Sequence, residues 1–180
     1  MLDKSTAREN AKTIRKNTSF DDRVIASSKI ASYVLALDEV KRADSICVYL
    51  PIGTEVDTKE IIDGLALLGK KIYAPKTIND TDMVALKFES FEDCTKGNFN
   101  IPEPRGEEIA KEKLDLILVP MVAYNKNRAR IGYGKGYYDR FIPKNSKTIG
   151  LAFSCQEQDF LPDSHDKTLD IIVTEKGVLR

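Results

Sequence analysis

The sequence predicts an α/β fold, a three-layer α/β/α arrangement around a mostly parallel, Rossmann-like open sheet. Three observations carry that expectation. Beyond Asp44, short apolar runs recur, separated by helical or loop segments. Within each run the apolar residues are consecutive rather than alternating, the pattern of strands covered on both faces. Ser45 to Pro75 reads as strand, helix and strand in about thirty residues, the length of a βαβ unit.

Residues 3–36 read as two helices packed on that core. In the first, Lys4, Arg8, Lys12 and Arg15 recur at steps of three and four, so one face is basic. Taken alone, such a face is a solvated surface. The second helix is capped by Thr18 or Ser19, with Asp21 and Asp22 in the first turn, where carboxylates favour the positive helix end. Val24, Ile25, Ile30, Ala31, Val34 and Leu35 form its expected apolar stripe.

Strands are expected at Ser45–Leu50, Lys71–Pro75, Leu114–Val119, Thr148–Phe153 and Ile171–Thr174, with another over Val84–Phe88 at an edge. Between the first two, a helix from Asp57 to Leu68 takes Asp57 or Thr58 as its cap. It buries Ile61, Ile62, Leu65 and Leu68 and stops at Gly69. Thr77–Pro104 is richer in Gly, Asn, Asp and Thr and reads as loops around the Val84 strand. Long loops inside a compact domain tend to be functional.

The 180 residues fit one domain, residues 1–180. Lysine plus arginine and aspartate plus glutamate each total 28, so the net charge is zero and the broad basic field of a nucleic-acid binder is missing. Hydrophobic content of 42% with 31% charged residues excludes disorder as the main state. Cys47, Cys94 and Cys155 lie far apart without a CxxC pair, which argues against a disulfide framework or zinc knuckle and for a reducing, cytoplasmic compartment. The polar start predicts no signal peptide, and no apolar run reaches the ~20 residues of a membrane span. His165 is the single histidine, so neither a multi-histidine metal site nor a histidine-based triad is expected.

The stretch richest in chemistry runs from Leu116 to Phe141. An apolar strand ends at Pro120, a polar turn follows, and residues 130–140 read RIGYGKGYYDR. Alternating Gly132, Gly134 and Gly136 let the backbone approach a ligand closely and take positive φ. With a helix starting near Lys135 to Tyr137, their amides form an anion cradle into which Lys135 places an ammonium. Walker A does not fit, because Lys135 is followed by Gly136 rather than Ser or Thr; GxGxxG does not fit, because the third glycine comes one residue early. Arg130 and Arg140 add cations, Tyr133, Tyr137 and Tyr138 flat surfaces, and Asp139 a carboxylate of the kind magnesium takes.

Taken together, KSTAR at 4–8, YLPIGTEVDT at 49–58, Gly69-Lys70 before a strand ending in Pro75, NIPEP at 100–104, the 130–140 block and Asp170 resemble the 5-formyltetrahydrofolate cyclo-ligase family, nearly end to end. The resemblance implies conversion of 5-formyltetrahydrofolate and ATP to 5,10-methenyltetrahydrofolate, ADP and phosphate with magnesium, by a monomer acting on small molecules. It implies ATP contacts from Lys4, Ser5, Thr6, Ala7 and Arg8 and from Arg130, Ile131, Gly132, Tyr133, Gly134, Lys135, Gly136, Tyr137 and Tyr138, with Lys135 catalytic. It implies folate contacts from Leu50, Glu55 and Tyr133 to Tyr137, magnesium ligation by Asp139 and Asp170, and Met83 and Phe99 in an apolar pocket. Met121, Asn125 and Arg128 depart from the family, which often has glycine, aspartate and glycine there. The residues alone also admit a sugar-phosphate or CoA-ester enzyme on a similar scaffold, or a non-catalytic nucleotide or folate sensor.

Overall fold

Two capped helices lead into the fold. In the computed structural model, which describes residues 1–97, 102–163 and 166–180, α1 (Lys4–Asn17) starts at Asp3, whose carboxylate accepts from the amides of Ser5 and Thr6. Ser19 caps α2 (Phe20–Ala36) by accepting from the Asp22 amide. A short α3 (Asp38–Arg42), not anticipated, then leads into β1 (Ser45–Cys47). The inward line of α1 is Ala7, Ala11 and Arg15, and Lys4, Arg8 and Lys12 are partly buried, so the basic face is packed rather than solvated. On α2 the buried residues are Ser27, Ile30, Ala31 and Val34, whereas Val24 and Ile25 stay 46% and 56% exposed. The Asp57 amide donates to Ser27 Oγ, so a polar contact takes the inward position expected of those two apolar residues.

The βαβ unit forms as expected. α4 (Lys59–Leu67) returns the chain to β2 (Lys71–Thr77), which pairs in parallel with β1, Ile46 opposite Ile72. Asp57 accepts from the Lys59 amide, while the Thr58 hydroxyl donates to the Tyr49 carbonyl instead of capping. Ile61, Ile62 and Leu65 are buried, but Leu68 is not, and Gly69 stops the helix with φ +69°. β1 ends at Cys47, earlier than its apolar run, although Val48, Tyr49 and Leu50 remain buried.

A turn at Asn79–Asp82 reverses the chain into β3 (Met83–Lys87), antiparallel to β2. β4 (Thr95–Lys96) and β5 (Pro102–Glu103) form a separate ribbon, and β6 (Glu108–Ile109) covers β3, so β6 rather than the Val84 strand is the edge. β7 (Leu116–Pro120) pairs with β1, and a second ribbon follows, β8 (Ala123–Tyr124) with β9 (Arg130–Ile131). After α5 (Tyr137–Phe141), β10 (Lys147–Leu151), β11 (Ile171–Thr174) and an unanticipated antiparallel β12 (Gly177–Leu179) complete an eight-stranded sheet of order β12-β11-β10-β7-β1-β2-β3-β6. Its centre, β11, β10, β7, β1 and β2, is parallel.

Successive strand residues face opposite layers. Ile46, Leu116 and Leu118 pack beneath Ile30, Val34, Ile61 and Leu65 of α2 and α4. Cys47, Ile117 and Val119 pack on the other face beneath Met121, Tyr124, Phe141 and Ile142, supplied by α5 and the irregular chain around it. A third cluster joins Ala7 and Ala11 of α1 to Val122, Ala123, Ala129, Ile131 and Phe160. That cluster seats α1 beside the exit of β7. No helix among the described residues is long and apolar enough to cross a membrane.

Candidate functional site

Three segments meet beyond the carboxyl ends of β1 and β7, where open α/β sheets bind ligands. They are the β1–α4 loop, the glycine-rich loop between β9 and α5, and the basic side of α1. The β8–β9 turn sets the course of the glycine loop. Asn125 Oδ1 accepts from the amides of Asn127 and Ala129, and its Nδ2 donates to the Phe160 carbonyl, a bond that an aspartate could not make. Arg128 takes φ +62°, the left-handed conformation that a glycine would adopt without strain. Its side chain is anchored nonetheless, with Nε donating to the Leu169 carbonyl at 3.0 Å.

Gly134 and Gly136 take φ +104° and +66°; Gly132 is not among the positive-φ residues. The expected helix follows, starting at Tyr137 after Gly136, but it is only five residues long, and cationic side chains add to the charge around the loop. Arg130 is buried, donates to Asp139 Oδ1 at 2.6 Å and lies over the Tyr138 ring at 5.8 Å. Its Nε is buried without a hydrogen-bond partner among the described residues. Arg8 reaches the same loop, its Nε donating to the Gly132 carbonyl at 3.0 Å.

The rest of the 4–8 segment is turned elsewhere. Lys4 pairs with Asp163 and Asp166, Ser5 and Thr6 serve the Asp3 cap, and Ala7 packs in the third apolar cluster. Lys135 is half-exposed, 3.7 Å from Asp80 on the β2–β3 turn. That turn is strapped to the loop at two further points, Tyr137 Oη to the Asn79 carbonyl and Arg140 Nε to the Thr81 carbonyl. Ile131 is buried, and Met83 packs against the cluster that contains Tyr138.

On the β1 side, Leu50 is core and Glu55 is only 8% exposed. Glu55 Oε2 accepts from the Ile52 amide at 2.8 Å and Oε1 from the Tyr133 hydroxyl at 2.9 Å. Burial pushes the Glu55 carboxyl above its ordinary value, against the pull of those two bonds and of the Arg15 charge. Burial and the neighbouring carboxylate push the Tyr133 phenol up to about 12, so it stays protonated. Arg15 was legible only as one member of the basic face. Its burial could have been read from the four-residue spacing Ala7, Ala11, Arg15, which puts it on the apolar line of α1.

The two expected magnesium ligands are not brought together. Asp170 precedes β11 at the amino end of the parallel strands, where it accepts from Thr148 and pairs with Lys147 at 3.1 Å. Leu50, Glu55 and the glycine loop follow carboxyl ends, so Asp170 is corrected to a structural carboxylate. Asp139 stays at the loop, 42% exposed, with Oδ1 on Arg130. No cluster of three or more His, Cys, Asp or Glu residues suited to a metal occurs among the described residues. Phe99, Asn100, Ile101 and His165 lie outside the described residues. Cys47 is buried and its thiol pushed up to about 12, which makes it inert.

A sequence profile described as the 5-formyltetrahydrofolate cyclo-ligase family matches residues 1–175. The chain is 34% identical to a probable 5-formyltetrahydrofolate cyclo-ligase of Schizosaccharomyces pombe, over 88% of this chain and 89% of that protein. It is similar to the solved 5,10-methenyltetrahydrofolate synthetase of Aquifex aeolicus, with TM-score 0.85 and 34% identity over 98% of this chain and 92% of the other. The corresponding synthetase structure from Mycoplasma pneumoniae gives TM-score 0.81 and 28% identity over 97% and 99% of the two chains.

Proposed function

The chain belongs to the 5-formyltetrahydrofolate cyclo-ligase family, and on that premise we propose which of its residues carry the ATP-dependent conversion of 5-formyltetrahydrofolate to 5,10-methenyltetrahydrofolate. A formamide is a poor electrophile because its nitrogen donates into the carbonyl. Transfer of the γ-phosphoryl group to the formyl oxygen turns that oxygen into a leaving group. Nitrogen 10 of the folate then attacks the formyl carbon, the ring closes, and phosphate leaves. Both nucleophiles belong to the substrate, so the protein's task is positioning and charge stabilisation.

One observation supports the arrangement above all others: Tyr133, in the middle of the cation-lined glycine loop, donates to Glu55 at the exit of β1. A nucleotide held by the loop and a folate held at Glu55 are thereby adjacent. Gly132 to Gly136 would wrap the phosphates, with Arg130, whose buried Nε has no partner among the described residues, and Arg8 facing them. Lys135, whose ammonium lies 3.7 Å from Asp80, would turn to the transferring phosphoryl group and neutralise it, and Tyr137 and Tyr138 would supply flat flanks. Leu50, Glu55, Tyr133 and Met83 form the folate side, with Glu55 accepting from a folate N–H.

Magnesium, where bound, screens charge between phosphate groups and keeps several waters, so one carboxylate is enough. Asp139 fits that need, because its Oδ2 accepts from no described residue while Oδ1 is held by Arg130. A monomer is the form proposed to act, and the scattered free cysteines support a cytoplasmic setting.

The test is direct. Purified protein with 5-formyltetrahydrofolate, ATP and magnesium should show growth of the near-ultraviolet absorbance of the methenyl product, lost when ATP is omitted. No growth with both ligands present overturns the reading.

A further inference from the structure

Arg15 is a buried guanidinium whose three nitrogens each bind a different segment. Nε donates to Thr54 Oγ1 in the β1–α4 loop at 3.0 Å. Nη1 donates to the Met121 carbonyl at the exit of β7, at 3.2 Å. Nη2 donates to the Tyr133 hydroxyl at 2.9 Å, and the guanidinium carbon lies 6.0 Å from the centre of the Tyr133 ring. Arg15 therefore ties α1 to both ligand-facing loops. Such burial is costly for a cation with no carboxylate in direct contact among the described residues, and an arginine that served only to hold α1 could be replaced by an apolar side chain.

The hydrogen-bond inventory fixes a direction. Arginine only donates and stays charged, so the Tyr133 oxygen must accept from it. The single Tyr133 proton is then left for Glu55 Oε1, 2.9 Å away. Glu55 Oε2 already accepts from the Ile52 amide. Both carboxylate oxygens are thereby held as acceptors, and a proton on Glu55 has to use a remaining lone pair. The other titratable groups that act on Glu55 are the phenols of Tyr49 and Tyr138, from the exit of β1 and from α5. Burial holds both phenols neutral, so Arg15 is the cation that biases this carboxylate.

We infer that Arg15 is a positioning residue for ring closure: by fixing the direction of the Arg15–Tyr133–Glu55 chain it keeps Glu55 a proton acceptor toward nitrogen 10 of the folate. This rests on the placement of Glu55 proposed above. The balance of the step requires an acceptor. Forming the bond from nitrogen 10 to the formyl carbon, with phosphate leaving on the electron pair of the C–O bond, obliges nitrogen 10 to give up its proton. Glu55 takes that proton and returns it to water after product leaves. The Glu55 carboxyl, already raised by burial, is suited to that task so long as a cation keeps it ionised at working pH.

The experiment compares wild type, Arg15→Met, Arg15→Lys and Tyr133→Phe by initial rates of methenyl formation from about pH 5 to 9, a window that brackets a raised carboxyl. Arg15→Met should lower kcat by about 100-fold or more, the range of a lost general base, while the KM for ATP moves less than about threefold. The acid limb of its profile should move to higher pH. Arg15→Lys, which keeps the charge, should return the limb toward wild type. Tyr133→Phe removes only a hydroxyl from a half-exposed ring, so it tests the chain even if Arg15→Met does not fold, and it should also raise the limb. A loss uniform across pH, with the limb unmoved in Arg15→Met and Tyr133→Phe, makes Arg15 a packing residue and overturns the inference. Wild type that forms no methenyl product at any pH overturns the proposed function instead, and this inference with it.

Discussion

Asp170 accepts from both the amide and the hydroxyl of Thr148, at 2.9 and 2.8 Å, and so clasps the amino ends of β11 and β10. The Asp170 amide donates back to the same hydroxyl at 3.0 Å. Asp170→Asn should therefore lower stability by about 1–2 kcal/mol, the loss of charge-assisted bonds at a partly exposed site. The magnesium concentration for half-maximal activity should not move. A shift in that concentration would return Asp170 to the metal site.

Asp139 is the carboxylate expected to answer to magnesium. Asp139→Asn should raise the magnesium requirement and weaken the hold on Arg130, whose only ion pair among the described residues is the 2.6 Å contact with Asp139. A magnesium titration of initial rates reads the first effect. The ATP KM reads the second.

Lys135→Ala should lower kcat on the order of 100-fold, as for loss of a donor aimed at developing charge, with folate binding by calorimetry largely kept. Equal loss of turnover and binding would mark the loop as structural. Asp80→Asn removes only a fully exposed partner 3.7 Å from Lys135, and rates should stay within about twofold.

Gly150 lies beneath Met121. A Cβ at Gly150 would sit 2.1 Å from Met121 Cε and 2.6 Å from Leu169 Cδ1. Gly150→Ala should cost about 1–3 kcal/mol by chemical denaturation, as overpacking does, and Met121→Ala in that background should recover part of it.

Acid sensitivity has a definite sign. The Ser45 amide, with further bonds from the Ser45 hydroxyl and the Asp44 amide, holds the Asp115 carboxyl below its ordinary 3.8. Burial opposes the same trend at Asp170, but the Thr148 amide and hydroxyl and Lys147 outweigh it. A carboxyl lowered in the folded state stabilises above its ordinary value, and that contribution is lost as pH falls through the folded one. The stability gap between wild type and Asp115→Asn should be full at pH 7 and shrink below about pH 3.8. Glu55 works in the opposite sense: its raised carboxyl favours the folded state in acid, and that contribution fades as pH rises through its folded value.

Much of the fold is legible from local pattern. Consecutive apolar residues at Leu116–Val119 and Ile171–Thr174 mark strands buried on both faces, and the order of those runs implies a parallel sheet. Ser19, Asp57 and Gly69 mark helix ends because capping is a bond between near neighbours. Legibility fails where a distant segment decides. Val24 and Ile25 have the right spacing for a core stripe, yet Ser27 makes the inward contact, with the Asp57 amide of another segment. The edge strand β6 is two residues long and owes its existence to a partner rather than to its own pattern.

The site divides along the same line. A glycine loop flanked by arginines and tyrosines after a buried strand is readable from residue order, since spacing and residue type are local properties. It took the folded chain to bring Tyr133 to Glu55 across 78 residues, to bury Arg15 against Tyr133, and to set Asp170 at the far end of the sheet. Those outcomes depend on strand register and on which helix face is buried against the β7 exit. Both are set by packing summed over the whole chain, and no short stretch of residues carries that sum.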